Sequence, residues 1–242
     1  MIARKNEIEF SDFKGREKAV AEATAAADRA VALAPDDVML LVWRGAFEEA
    51  NGATFREQSG ALRYYTRALR ADPGSRPALL ARARVTRQLG RYSEAITDYR
   101  TYLNLVASDS LVGYELGVTQ LLGARYSDAV ETFGKLQGEF PLQSGTTSAE
   151  SIEFAQMRAV ALAAAGQEQF ETLAKAALGR AGWSVQPSEL SQHLLTRTPH
   201  ASQLDRLAAM RSDQREMGRT ALPEIVQLEL DAKQTGPKPK TP

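Results

Sequence analysis

The chain has 242 residues, of which 43% are hydrophobic and 25% are charged, and its 30 basic and 30 acidic side chains give a formal net charge of zero. This composition is ordinary for a soluble folded protein, and the length allows one elongated domain or two compact ones. The zero net charge argues against a nucleic-acid binder that works through a broad basic field. The lack of cysteine excludes disulfides, thiolate catalysis and cysteine-ligated zinc.

The amino terminus, MIARKNE, lacks the apolar core of a secretory signal peptide. No stretch approaches the roughly 18 consecutive apolar residues that a membrane-spanning helix needs. We therefore expect a cytoplasmic protein without membrane insertion.

The first elements of the chain are predicted to be helical. Residues 1–14 have no clear period and are interpreted as an N-terminal extension or a degenerate helix. Residues 16–33 are rich in strong helix formers and carry small apolar residues at three- and four-residue steps. Pro35 ends this helix, and Asp36 or Asp37 is expected to cap the next one.

A helical hairpin is predicted to follow. Residues 38–51 form its first helix and residues 61–69 its second. The intervening residues 53–60 are expected to lengthen the turn, and the composition of residues 72–75 (DPGS) is typical of another turn.

The sequence then repeats itself after 34 residues. The stretch LGRYSEA from Leu89 returns as LGARYSDA from Leu122, which places Tyr92 and Tyr126 34 positions apart. Such a period, with small and aromatic residues at fixed offsets, is typical of a two-helix repeat that stacks on copies of itself.

This pattern resembles the tetratricopeptide repeat (TPR), whose consensus has small residues, a glycine, aromatic residues and a proline at fixed positions. The aromatic residue is expected to fill the gap to the next repeat. The first helix, before residue 38, matches only the second half of a repeat. Tyr102 and Leu136 depart from the pattern where small residues are expected, and Ala107 departs where proline is expected. The matching residues are Gly45, Gly52, Ala61, Tyr65, Ala68 and Pro73 in the first full repeat, Ala83, Gly90, Tyr92, Ala95 and Tyr99 in the second, and Gly117, Tyr126, Ala129, Phe133 and Pro141 in the third.

The resemblance implies an all-α, right-handed superhelical solenoid of TPR-like helical hairpins with additional C-terminal helices. In the last repeat, Thr147 and Glu150 have capping-box spacing. Two short helices after it are expected to open near Pro187 and Pro199, and the 223–233 stretch reads equally as helix or strand. The predicted organisation is an extension (1–14), a half repeat (15–37), repeats 38–75, 76–109 and 110–143, a degenerate repeat (147–183), a C-terminal helical segment (184–234) and a flexible tail (235–242).

Nothing in the sequence has the pattern of a catalytic or metal site. His193 and His200 are separated by the Pro199 break and lack the neighbouring ligands that a metal ion needs. No nucleophile elbow, phosphate-binding loop or zinc-protease motif occurs. We therefore expect no enzyme activity, no cofactor and no metal.

The resemblance also implies which residues line a concave groove that binds a partner. Arg84 and Arg87 lie one helical turn apart and are expected to hold a carboxylate or a backbone carbonyl of a bound peptide, unless they form only a solvated face. Chaperone-binding members carry Lys and Asn where this chain has Val42 and Ala46, so that activity is not expected. Trp43 is a candidate hot spot for binding, because Trp and Tyr dominate such sites, unless it has an ordinary packing role. Tyr65 is expected in the core, and Tyr64 is left open. The predicted partner-binding residues are Val42, Trp43, Ala46, Glu49, Leu80, Arg84, Arg87, Tyr114, Val118, Leu121, Gln156 and Val160.

The sequence therefore predicts a non-catalytic scaffold or adaptor that binds a protein or peptide, with no nucleic acid. Two alternatives remain open at this point. The chain is the TPR region of a larger bacterial signalling protein, such as a kinase or a transcription regulator, or it is a homo-oligomeric scaffold whose C-terminal helices pack into a neighbour's groove.

Overall fold

The structure is a computed structural model that describes residues 2–51, 55–142, 148–178 and 185–216. Within these residues it has eleven α-helices and no strand, which confirms the all-α prediction. The chain divides into two compact units, residues 1–107 and 108–242, which we describe separately as unit 1 and unit 2. Thr147, the 223–233 stretch and the predicted tail lie outside the described residues, and the predicted domain boundaries remain a prediction.

Unit 1 begins with a helix that is longer than expected. It is continuous from Ile2, so residues 2–14 are helical, in line with the degenerate-helix alternative. The helix ends before Pro35, and the Asp37 carboxylate accepts a hydrogen bond from the Leu40 N–H at 2.9 Å, as the capping prediction requires. The helices of unit 1 are α1 (Ile2–Leu33), α2 (Val38–Asn51), α3 (Phe55–Ala71), α4 (Arg76–Gln88) and α5 (Tyr92–Leu105).

The expected long turn before the third helix is wrong for residues 55–60, which belong to α3. This helix has 17 residues, whereas α5, its counterpart in the next repeat, has 14. Gly60 is a residue type that favours a turn, but in the structure it lies within α3 and leaves space for the Glu48 side chain. A Cβ placed there would lie 2.1 Å from Oε1 of Glu48, so the glycine lets that carboxylate approach the helix. Most of the segment 53–60 therefore extends α3 and does not form a loop.

Within a repeat, the small residue of the first helix lies against the aromatic residue of the second. A Cβ on Gly45 would lie 2.5 Å from the Tyr65 ring, and one on Gly117 would lie 2.6 Å from the Phe133 ring. Both rings are at most 1% exposed. The aromatic residue thus packs on the first helix of its own repeat, and it also reaches the next repeat as expected. Tyr65 shares a buried cluster with Val85, and the Phe133 and Phe154 ring centroids lie 5.8 Å apart.

A buried polar cluster ties α1 to α2 and α3. Arg44, only 4% exposed, donates from Nε to Asp28 at 2.9 Å and from a terminal nitrogen to Glu48 at 3.0 Å. The Tyr64 ring is contacted by two guanidinium groups, those of Arg44 at 4.8 Å and Arg63 at 4.7 Å from its centroid. Tyr64, left open by the sequence, is therefore part of the structural core of unit 1.

The turn between the two helices of a repeat has the same backbone geometry in three places. Gly90, Ala124 and Gly166 have φ values of 73°, 58° and 75°. In each case the next residue donates to a carbonyl five positions earlier, as Arg91 does to Thr86 at 2.8 Å. In the turn between α6 and α7, the residue with left-handed backbone angles is Ala124 and not the neighbouring Gly123. The Cβ of this alanine makes the turn strained, whereas glycine occupies the same position in the other two turns.

Unit 2 is organised around one central helix, α8. Twelve of its residues are buried, because α7, α9, α10 and α11 all contact it. The Ser148 hydroxyl caps α8 by accepting from the Ser151 N–H at 3.1 Å, one residue after the cap expected at Thr147. The helices of unit 2 are α6 (Ser110–Leu122), α7 (Tyr126–Lys135), α8 (Ala149–Ala164), α9 (Phe170–Leu178), α10 (Val185–Leu195) and α11 (Ala201–Glu216).

Candidate functional site

The predicted groove residues of unit 1 lie on α2 and α4, which contact each other. We call this set the α2–α4 face; it consists of Val42, Trp43, Ala46, Glu49, Leu80, Arg84 and Arg87. Trp43, Ala46 and Arg84 are exposed, and the other four residues are half-buried. The side chains of this face are therefore accessible to a partner.

Trp43 is the most prominent side chain on this face, with 51% of its surface exposed. Its ring packs on Phe47, one turn later, with centroids 5.6 Å apart and planes 30° apart. Met39, one turn earlier, is 63% exposed. Single exposed apolar residues are common, but here the exposed Met39 and Trp43 adjoin the half-buried Phe47 at four-residue spacing, which forms a continuous apolar strip along α2.

The charged residues on and near this face differ in their hydrogen-bond and ion-pair partners. Glu49 accepts a hydrogen bond from the Tyr65 hydroxyl at 3.0 Å, and burial together with this carboxylate raises the pKa of Tyr65 above its ordinary value. Arg82 lies away from the face and forms a two-point ion pair with Asp98, at 2.7 Å for each contact. The Arg87 side chain has no hydrogen-bond or ion-pair partner among the described residues. Its guanidinium is therefore available for an acidic or carbonyl ligand.

The predicted groove residues of unit 2 are mostly inaccessible. Val118 is 5% exposed, and Leu121, Gln156 and Val160 are fully buried. They lie on α6 and α8, and α10 contacts both of these helices. The same hydrophobic cluster includes Leu190 and Leu194 of α10 and Leu204 and Leu207 of α11. The C-terminal helices therefore cover these positions within their own unit.

Tyr114, the remaining predicted residue, lines an open pocket of about 250 Å³ in unit 2. We call it the Tyr114 pocket. Its walls are mainly apolar, Leu111 at its edge is 72% exposed, and the Tyr114 hydroxyl donates to Glu153 at 3.4 Å. Its lining residues are Leu111, Tyr114, Phe140, Ala149, Glu150, Glu153 and Phe154.

A second pocket of about 260 Å³ shares Phe140 and Phe154 with the first. We call it the Arg158 pocket. The two shared rings stack with centroids 4.6 Å apart and planes 18° apart. Burial lowers the pKa of Arg158, and its Nε is buried without a hydrogen-bond partner among the described residues. The other residues of this pocket are Gln137, Pro141, Leu142, Ala155 and Leu173.

Sequence reasoning missed Phe140, Phe154 and Arg158. Phe140 directly precedes Pro141, and this position could have drawn attention to the end of the repeat. Arg158 gave a weaker signal, as the single charged residue in the run from Ala155 to Ala165.

The histidines have no catalytic or metal-binding arrangement in the part of the chain that the structure describes. His193 is exposed, and the His200 ring lies where a Cβ on Gly166 would come within 2.6 Å. No group of three or more His, Asp or Glu side chains with metal-binding geometry occurs among the described residues. Within the same residues, no helix has the length and apolar content to cross a bilayer.

No protein-family model and no curated protein matches the chain, but solved structures do. The MamA protein is 18% identical, with a TM-score of 0.56 over 70% of this chain and 86% of that one. A tetratricopeptide repeat protein from Parabacteroides merdae is 16% identical, with a TM-score of 0.53 over 91% and 80%. YrrB, a TPR protein with an unusual peptide-binding site, is 15% identical, with a TM-score of 0.52 over 86% and 98%. The chain therefore has the tetratricopeptide-repeat fold that its 34-residue period predicts.

Proposed function

We propose that this chain is a non-catalytic interaction scaffold that binds a protein segment on the α2–α4 face. The observation that carries the proposal is the half-exposed Trp43, which lies beside the exposed Ala46 on one helix of this face. Tryptophan is enriched among residues that dominate binding energy, because it combines a large apolar surface with little conformational freedom to lose.

The chemistry of the face defines the kind of partner. Val42, Trp43, Ala46 and Leu80 offer an apolar surface, and Arg87 adds a cation with no acidic partner among the described residues. A complementary segment is amphipathic, with an apolar side for α2 and an acidic side chain or carbonyl group for the arginines of α4. A peptide-binding site in YrrB, which has the same fold, is compatible with this use of the fold.

In this proposal, the predicted residues of unit 2 have a different role. Val118, Leu121, Gln156 and Val160 support the packing of α10 instead of contacting a partner. Self-assembly through the C-terminal helices is disfavoured by the same packing. The apolar residues that such an interface needs, including Leu190 and Leu194, are already buried within their own chain.

The test is affinity capture from an extract of the source cells with the full chain as bait. We compare the intact chain with Arg84→Glu/Arg87→Glu, and with a control, Arg70→Glu/Arg76→Glu, that makes the same charge change at two exposed residues outside the face. Helicity and solution mass of all three proteins are measured first.

A partner captured by the intact chain and the control, but not by the Arg84/Arg87 variant, is the expected result. Trp43→Ala should then weaken binding of the purified partner by about tenfold or more. A partner retained by all of the variants would place binding elsewhere on the chain. No partner at all, together with a dimeric mass, would favour self-assembly and overturn the proposal.

A further inference from the structure

The Arg158 pocket contains a cation without a counter-ion. Arg158 is half-buried, and no hydrogen bond, ion pair or ring contact joins its side chain to any other described residue. Burial is the cause that lowers its pKa, and no nearby carboxylate offsets that effect. Every other arginine with a shifted pKa in the described residues has an acidic partner, Glu48 for Arg63, Asp98 for Arg82 and Glu168 for Arg206.

An unpaired, partly desolvated charge is unfavourable for folding. Most of the pocket wall is apolar, with Phe140, Phe154 and Leu173 among its residues, and Gln137 adds the amide group of a second polar side chain. The arrangement is unfavourable for the free protein, but it becomes favourable when an anion enters, because a guanidinium forms strong two-point hydrogen bonds with a carboxylate.

The size and charge of the pocket restrict the anion. A volume of about 260 Å³ accommodates a side chain, and a single arginine neutralises one negative charge. A phosphate group carries close to two negative charges at neutral pH, so a single arginine would leave part of its charge uncompensated in a mostly apolar pocket. A carboxylate is therefore the ligand that fits.

The neighbouring Tyr114 pocket indicates that the bound chain continues. Phe140 and Phe154 line both pockets, so a segment that enters the Arg158 pocket lies next to Glu150 and Glu153 on the other side of these rings. Those two carboxylates complement a basic residue farther along the same segment. An internal acidic side chain leaves chain on both sides of the Arg158 pocket, whereas a terminal carboxylate leaves chain on one side only.

We propose that the Arg158 pocket binds the aspartate or glutamate side chain of a partner segment, which then passes over Phe140 and Phe154. This site belongs to unit 2 and does not depend on binding at the α2–α4 face. Its test is therefore independent of the proposed function.

The experiment follows the Nε–Hε signal of Arg158 by NMR in the ¹⁵N-labelled full chain, with Arg158→Met used to assign that signal. The probes are the peptide acetyl-Ala-Leu-Glu-Leu-Ala-Lys-Ala-amide, the same peptide with Gln in place of Glu, and the Gln peptide with a free C-terminal carboxylate. Lys175→Met is the control variant, because it removes one exposed positive charge from the same unit.

The Glu peptide is expected to move the Arg158 signal downfield and to saturate. The Gln peptide should bind about tenfold more weakly or worse, since a hydrogen bond to a charged group is lost. Arg158→Met should abolish the difference between the two peptides, whereas Lys175→Met should preserve it.

Equal binding of the Glu and Gln peptides would overturn the proposal, as would undiminished binding of the Glu peptide to Arg158→Met. Saturation by the free-terminus Gln peptide alone would assign the pocket to a terminal carboxylate and refute the side-chain assignment. Absence of any shift up to about 10 mM peptide would exclude the site, because even one charge-assisted contact should register at that concentration.

Discussion

Replacing Gly117 with alanine tests the packing that defines these repeats. A Cβ at this position would lie 2.6 Å from two atoms of the Phe133 ring and 3.1 Å from a third. The ring cannot easily retreat, because Phe133 is fully buried and lies 5.9 Å from the Tyr114 ring and 5.8 Å from the Phe154 ring, centroid to centroid. Overpacking of this kind costs about 1–3 kcal/mol. Alanine recovers about 1 kcal/mol through its helix propensity, so we expect a net loss of up to about 2 kcal/mol.

Gly134 provides the matched control, because it lies in the second helix of the same repeat and a Cβ there meets nothing within 4 Å. Gly134→Ala should therefore stabilise the protein, by up to about 1 kcal/mol. The two glycine-to-alanine changes thus have opposite predicted signs, which chemical denaturation followed by circular dichroism can measure. Phe133→Leu should recover part of the loss in the Gly117→Ala background. Two stabilising glycine replacements, or two destabilising ones of equal size, would refute the packing argument.

Three further predictions concern charged and polar groups. Arg82→Met removes the two-point partner of Asp98, which is only 3% exposed. The free energy of unfolding in urea should fall by about 3 kcal/mol, and a fall below about 1 kcal/mol would contradict a structural role for the pair. Burial and then Glu49 raise the pKa of Tyr65 above 10.0, so the stability that depends on its neutral hydroxyl is intact below that pH and is lost as pH rises past it. Tyr65→Phe should flatten this alkaline loss in thermal melts, and an unchanged pH profile would count against it. Arg158→Met should raise stability by about 1 kcal/mol, because it removes a desolvated charge and keeps apolar bulk; a lower melting temperature would show that the charge has a partner.

The repeat fold could be predicted from the sequence because its signals are local and periodic. Tyr65 and Phe133 are 133 − 65 = 68 positions apart, twice the 34-residue period, and each contacts a glycine, Gly45 or Gly117, within its own helical hairpin. The helical state of residues 55–60 was missed because glycine, here Gly60, is common in turns. The reason for a glycine inside this helix is the nearby Glu48 carboxylate, which leaves no room for a Cβ.

The candidate site could be predicted only in part. The resemblance assigns Arg87 to the groove side of its helix, and Trp43 is selected by residue type alone; Trp43 is exposed and Arg87 is half-buried in unit 1. The burial of Leu121 and Val160 depends on where α10 packs, and no periodic pattern in residues 185–195 specifies that position. The Arg158 pocket likewise forms from segments far apart in the sequence, so its unpaired guanidinium is visible only in three dimensions.

Site-specific photocrosslinking can show whether a partner contacts the α2–α4 face. Benzoylphenylalanine replaces Trp43 in the full chain, and a control protein carries it at the exposed Arg70 of α3. After irradiation in the source cells, adducts are separated by mass and identified by peptide sequencing. We expect the probe at position 43 to give a discrete protein adduct that the probe at position 70 does not give. This adduct should be lost when Arg84→Glu/Arg87→Glu is introduced. The same adducts from both positions, or none from position 43 in a correctly folded protein, would contradict partner binding at this face.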